Sequence, residues 1–415
     1  MAPSPLPNIK PVNVPQTYVQ ALKLHQQGHL AEAEQLYAAI LSVRPDHFDA
    51  LHMLGVIKLA GGRLSEALQL IANAMRSRTP SPQVLLNYGL VLNALNRHQE
   101  ALENLDRAIK LKSRFPEAHN NRGCVLVALG RAEEALASCD RAIVLRPDYA
   151  EACFNRGIAL ERLKRFDEAL ASYDRAISLR PNLAEALSNR SGVLRELGRF
   201  DEALASSDRA LALQPNLTKA LATRGSVLNG LKRFDEALMS YTRALMVRRD
   251  DAEVHYNRAH TLTSLKRFDE ALASYDCAVS LRPDYAEAHW NEALLRLLTG
   301  DFSRGWVKYE WRWKRDSSSI SKHKFLQPLW RGEDVIRDKT ILLHSEQGLG
   351  DAIQFCRYVP LVTARAAHVI FEVERPLLKL MSDFAGAAQV ICRGEALPNF
   401  DVHCPLLSLP LAFGT

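Results

Sequence analysis

The chain has 415 residues, 24% of them charged and 47% hydrophobic, with a formal net charge of +6. That length admits two or more domains, and so small a net charge argues against a nucleic-acid footprint. No apolar run approaches the roughly 18–20 residues that cross a bilayer, so no membrane span is expected.

The opening "MAPSPLPNIKPVNVPQ" carries five prolines and no apolar h-region. It is not a signal peptide, and residues 1–13 read as a disordered Pro-rich tail. Seven cysteines follow at 124, 139, 153, 277, 356, 392 and 404, with no CxxC pair and no metal-ligand spacing. Reduced thiols, no metal site and a cytoplasmic location are the expectation.

From residue 14 the chain repeats itself. "FNRGIALERLKRFDEALASYDRAISLRPN" (154–182) aligns with "YNRAHTLTSLKRFDEALASYDCAVSLRPD" (256–284) at a separation of 102, three times 34. A helix-ending proline recurs at Pro45, Pro147, Pro181, Pro215 and Pro283, and a small residue at Ala33, Ala67, Ala101, Ala135, Ala169, Ala203, Ala237 and Ala271. Each unit holds two amphipathic helices separated by "LKRF" or "LGRF", with an acidic "DE" opening the second, where the helix dipole favours it. No single pair can bury its apolar face, so units must stack. A 34-residue unit with these positions resembles the tetratricopeptide repeat. The expected fold is an all-α superhelix over residues 14–313, with eight full repeats from about residue 14 to 285. A ninth, capping pair carries "GDFSRGWVKYEWRW", with Gly305 at the alanine position and Tyr309 at the aromatic one. The basic, aromatic stretch "WVKYEWRWKR" (306–315) is read as an amphipathic end of the array rather than as a nucleic-acid surface.

Two columns run along the first helices. Asn87, Asn121, Asn155, Asn189, Asn257 and Asn291 share the 34-residue lattice, broken by Thr223. A column of amides can grip an extended peptide through its backbone, and it resembles the asparagine ladder in the superhelix of O-linked N-acetylglucosamine transferase. These six are the candidate peptide-binding residues on a concave face, with a structural role as the alternative. One residue later, Arg122, Arg156, Arg190, Arg224 and Arg258 recur. They are expected to pair within each repeat with Asp140, Asp174, Asp208 and Asp276. A carboxylate clamp, which needs flanking lysine and asparagine, is not expected: Leu86, Asn120, Phe154 and Ser188 precede the asparagines, and Leu90, Cys124, Ile158 and Gly192 follow three residues later.

The period is lost near residue 314. Residues 314–338, beginning with "KRDSSSISKHKF", read as a linker. Residues 339–415 alternate in kind: "TILLH" is a buried parallel strand, "SEQGLGD" a turn, and "DAIQFCRYVPLVTARA" a helix burying Ile353, Cys356, Val359 and Val362. "HVIFEV" is a strand, "RPLLKLMSDFAG" a helix with Pro376 in its first turn, and "AQVICR" a third strand. This is half of a doubly wound α/β, Rossmann-like fold. Isoleucine at 353 excludes the GxGxxG fingerprint, and no GK[ST] makes a P-loop.

The words "GWVKYEWRW", "PLWRGE", "ILLHSEQGLGDAIQFCRYVPL" and "LPNFDVHCPLLSLPLAFGT" after such repeats resemble a bacterial family of repeat-bearing glycosyltransferase-like proteins, over nearly the whole chain. The resemblance implies the N-terminal half of a GT-B fold, akin to heptosyltransferases. In these a "GD" after the first strand faces the acceptor; here it is Gly350 and Asp351, although "EQGLGD" departs from the heptosyltransferase wording. It further implies a substrate loop of Gln347, Gly348 and Gly350, Asp351 as the catalytic base, and a nucleotide-sugar donor held by a second half. With no such half before "LAFGT", the chain is expected to be a fragment that binds no cofactor and lacks transferase activity. For Asp351 the competing reading is a helix N-cap. For the whole chain it is a non-catalytic repeat scaffold that binds a protein or peptide.

Overall fold

The computed structural model describes residues 13–315, 325–346, 348–382 and 389–415. Nearly all of the expected tail, much of the serine-rich linker and Gln347 therefore lie outside the described residues. The chain divides into two compact units, Met1–Thr223 and Arg224–Thr415. Among the described residues no helix is long and apolar enough to cross a membrane.

The first unit is built of antiparallel helix pairs, beginning with Val14–Gln26 and Leu30–Val43 and reaching Ala184–Glu196 and Phe200–Leu213. Every alanine of the small-residue column in this unit, from Ala33 to Ala203, is fully buried. The turn inside each pair closes on a left-handed residue at Gly28, Gly62, Asn96, Gly130, Lys164 and Gly198. This is the conformation that ends helices at little cost when glycine or asparagine supplies it. At Lys164 the amide still reaches Glu161 O at 3.0 Å, and Arg165 N reaches Leu160 O at 2.9 Å. The "DE" carboxylate meets a cation as well as a helix dipole: Arg165 donates to Glu168 through Nε and Nη2, at 2.7 and 2.8 Å. Both groups are exposed, so solvent screens the pair and it adds little to stability.

The second unit continues the pattern through Ala252–Ser264 and Phe268–Leu281, then Ala286–Leu298 and Phe302–Tyr309. The last helix tightens into a 3-10 turn, Glu310–Lys314. A four-stranded, wholly parallel sheet follows: β1 (Thr340–His344), β2 (His368–Val373), β3 (Gln389–Cys392) and β4 (Val402–Pro405), in the order β3-β2-β1-β4. In register, His344 lies opposite Glu372 on β2 and Pro405 on β4.

Three features correct the sequence reading. β4 is a strand, although "VHCP" is too short and mixed to announce itself. Part of the expected linker belongs to the same sheet: Leu329 bridges His403 in parallel, and Trp330 N donates to His403 O at 2.8 Å. The helix after the turn is broken into Leu349–Phe355, a 3-10 turn Cys356–Tyr358, and Val359–Thr363. Its buried face is Ala352, Phe355, Cys356, Val359 and Val362, whereas Ile353 is 48% exposed. A strict three-residue spacing drifts off a 3.6-residue helix, and Ala352 and Phe355 hold the face that Ile353 leaves.

The capping helix pair and the sheet share one core, in which Ala293 and Tyr309 join Trp330, Ile341, Leu343, Phe355, Val359 and Phe371. Trp306 meets Phe355 edge-on at 6.0 Å. The aromatic weight of "WVKYEWRW" is thereby accounted for: it covers apolar surface of the sheet domain.

Candidate functional site

The asparagine column is not uniform. Asn87, Asn121, Asn155, Asn257 and Asn291 are half-buried on their first helices. Three of them reach back to the preceding first helix. Asn87 Nδ2 lies 2.9 Å from His52 Nε2, Asn155 donates to Asn120 Oδ1 at 2.9 Å, and Asn291 to Tyr256 Oη at 2.9 Å. Each partner precedes its asparagine by 35 residues. Asn121 finds Leu86 at that offset, and its side chain has no hydrogen-bond partner among the described residues; the same holds for the Asn257 amide. Asn189 finds Phe154 there and turns inward instead, donating to Tyr173 Oη at 3.3 Å. Its burial removes it from an exposed ladder: Phe154 offers it no polar atom, and the Tyr173 hydroxyl does.

The arginine column also corrects the sequence reading. Arg122 donates to Asp106 and Ser138, Arg156 to Asp140 and Ser172, and Arg190 to Asp174 and Ser206. The Arg–Asp distance is 2.6 Å in all three. The aspartate comes from the preceding repeat and the serine from the arginine's own, so the pair is a tie between repeats. Stacking brings a second helix closer to the next first helix's arginine than the turn within one pair allows.

In the second unit polar residues gather where parallel strands end, which is where α/β folds place ligands. β1 runs out through His344, Ser345 and Glu346, all buried. His344 Nε2 lies 3.1 Å from His403 Nδ1 on β4, and Phe325 packs edge-on against both rings. The buried Ser345 hydroxyl has no hydrogen-bond partner among the described residues. Glu372 is buried at the end of β2; burial pushes its carboxyl above the ordinary carboxylate range, opposed by Arg393 and helped by Glu374. Among the described residues no cluster of His, Cys, Asp or Glu is arranged to hold a metal.

The loop residues sit at the same edge. Gly348 is the helix N-cap with φ −65° and ψ 164°, and neither it nor Gly350 has positive φ. Among the described residues, a Cβ added to either would meet nothing within 4 Å. Asp351 lies in the first helical turn, half-exposed, and its carboxylate has no partner among the described residues; it is not the N-cap. Gln347 lies outside the described residues.

Sequence reasoning missed the strongest interaction here. Arg312, fully buried, donates from Nε and Nη2 to both Glu346 oxygens at 2.9 and 3.0 Å, and from Nη2 to Ser408 Oγ at 2.7 Å. Its Nη1 reaches Glu310 Oε1 at 2.5 Å. Burial pushes the Glu346 carboxyl up while Arg312 pulls it down. The available signal was the polar "HSE" directly after an apolar strand, together with an arginine among tryptophans.

Family models described as tetratricopeptide repeat match residues 24–86, 120–184, 153–216, 193–255 and 252–285, and one described as TPR repeat matches 89–130. No curated protein matches the chain. Among solved structures, a chain of the APC/C hetero-tetramer Cut9–Hcn1 is 18% identical with a TM-score of 0.54, covering 66% of this chain and 54% of that one; it shares the helical-repeat fold. A tetratricopeptide repeat protein from Parabacteroides merdae ATCC 43184 is 18% identical with a TM-score of 0.49, covering 60% of this chain and 98% of that one. A thermophilic TPR protein in Thermus thermophilus, TTC0263, is 27% identical with a TM-score of 0.40, covering 44% of this chain and all of that one. With the 34-residue lattice, the buried alanine column, the left-handed turns and these matches from residue 24 to 285, the chain belongs to the tetratricopeptide-repeat proteins.

Proposed function

We propose that the chain is a protein–protein interaction scaffold whose repeats hold an extended segment of a partner against their first helices. The observation that supports this most directly is an uncommitted, half-buried amide in each unit, Asn121 in the first and Asn257 in the second, each able to donate twice and accept. Asn87 and Asn155 stand beside Asn121 in the first unit and Asn291 beside Asn257 in the second, with part of each amide used between repeats. Asn189 is left out of the gripping set.

The test is the double substitution Asn121→Ala, Asn257→Ala, assayed against a set of unrelated acetylated peptides. Two lost hydrogen bonds at about 0.5–1.5 kcal/mol each correspond to roughly tenfold weaker binding, with the helical circular dichroism unchanged. Unaltered affinity in the folded variant would sink the ladder.

A second reading attaches to the sheet. The strand order, the buried His344, Ser345 and Glu372 with His403 at the strand ends, and the unpartnered Asp351 suit the acceptor half of a sugar-transfer enzyme fed by a nucleotide-sugar. Asp351 would take the proton from the attacking hydroxyl, a contribution of roughly 100- to 10,000-fold. In a protein carrying both halves, Asp351→Asn is expected to cut turnover at least about tenfold with little change in melting temperature. Full activity in that variant removes the residue from the mechanism.

A further inference from the structure

At Arg258 the tie between repeats lacks its aspartate, and a pocket opens there. Arg122, Arg156 and Arg190 each hold an aspartate sixteen residues back and a serine sixteen residues on. Arg258 occupies the same position in its own repeat and keeps the serine, donating from Nη1 to Ser274 Oγ at 2.8 Å. Sixteen residues back, however, stands Thr242. Threonine cannot supply the carboxylate, and Arg258 has no acidic partner within ion-pair distance among the described residues.

Thr242 and Arg258 line an open pocket of about 460 Å³ between the helices Phe234–Val247 and Ala252–Ser264. Arg243 and Arg267 also line it, against a single acid, Asp235. Arg267 is already engaged by Glu270 through Nε and Nη2. Leu238, Met239 and Leu262 make the rest of the lining apolar, and Met239 is 66% exposed.

We propose that this pocket receives the carboxylate of an aspartate or glutamate in a partner protein, with an apolar neighbour of that residue against Met239 and Leu238. The guanidinium is held by Ser274 in the orientation in which sister arginines bind their own aspartates, so the recognition geometry exists before the partner arrives. A guanidinium fork suits a carboxylate, and Arg258, which meets no internal acid at ion-pair distance among the described residues, selects an anion. This names a partner class for the scaffold reading and rests on it, but it uses none of the ladder residues.

The experiment measures fluorescence anisotropy of three labelled peptides on the full chain: one with a glutamate between leucines, its glutamine twin, and its phosphoserine twin. The glutamate peptide is expected to bind about tenfold tighter than the glutamine twin. Thr242→Asp, which restores the internal carboxylate found in the sister repeats, should erase that preference; Thr242→Asn should keep it. Equal binding of the two twins, absence of binding by both, or a preference that survives Thr242→Asp overturns the proposal. Binding of the phosphoserine peptide with no preference for glutamate over glutamine overturns it in favour of phosphate. The ladder variant Asn121→Ala, Asn257→Ala should weaken both twins alike and leave their ratio unchanged, so failure of the ladder and failure of the pocket are distinguishable.

Discussion

Glu346→Ala is expected to lower the stability of the second unit by about 3 kcal/mol, the lower end of the cost of breaking a buried ion pair. The substitution strands the Arg312 guanidinium, fully buried, beside the Tyr309 and Trp313 rings, with Glu310, Ser408 and the Tyr309 carbonyl as its remaining hydrogen-bond partners among the described residues. Glu310 remains 2.5 Å from Nη1, which is why the cost stays near that lower end. All five tryptophans lie between residues 290 and 330, so intrinsic fluorescence reports this region while far-ultraviolet circular dichroism is dominated by the repeats. The fluorescence transition in urea should move to lower denaturant, and most of the circular dichroism amplitude should melt where it did before. Replacing both partners, Arg312→Met with Glu346→Leu, should recover much of the loss, because two apolar groups leave no charge to desolvate. A fluorescence midpoint unmoved in Glu346→Ala would mean that water reaches the guanidinium.

Gly157→Ala is expected to cost about 1–3 kcal/mol by overpacking, whereas Gly192→Ala should be neutral or gain up to about 1 kcal/mol. The two glycines lie in neighbouring first helices and differ in what a methyl group would meet. At 157 the new Cβ falls 2.5 Å from Tyr173 Cε1 and 2.8 Å from Cζ. That ring is fully buried and its hydroxyl is anchored to Glu161 Oε2 at 2.8 Å and to Asn189, so it cannot retreat cheaply. At 192 nothing lies within 4 Å, and alanine only removes the entropic cost of a mid-helix glycine. Thermal unfolding followed by circular dichroism separates the two, and equal shifts would refute the packing argument.

The repeat was legible because its determinants are local. A 34-residue period, an alanine where two helices must touch and a glycine, asparagine or lysine at each turn are visible in one dimension, and the buried face follows from helical spacing. The first three strands were legible as well, since continuous apolar runs belong in a parallel sheet. Contacts between units of the pattern were not. Whether Asp140 serves Arg122 or Arg156 depends on how repeats stack, and the sequence offers both aspartate-to-arginine spacings. Asn189 turned inward because of Phe154, a residue on a different helix. The short strand β4 exists because β1 and the 325–330 segment flank it. Arg312 and Glu346, 34 residues apart in the chain, became a pair only when the capping helix packed on the sheet and excluded water from both. The sequence by itself therefore determined the repeated unit and the alternation of strand and helix, because both rest on periodicity and local sterics. Tertiary structure alone decided which polar groups would share a partner and which, like Arg258, would be left without an acidic one, because a charge must find its partner in space rather than along the chain.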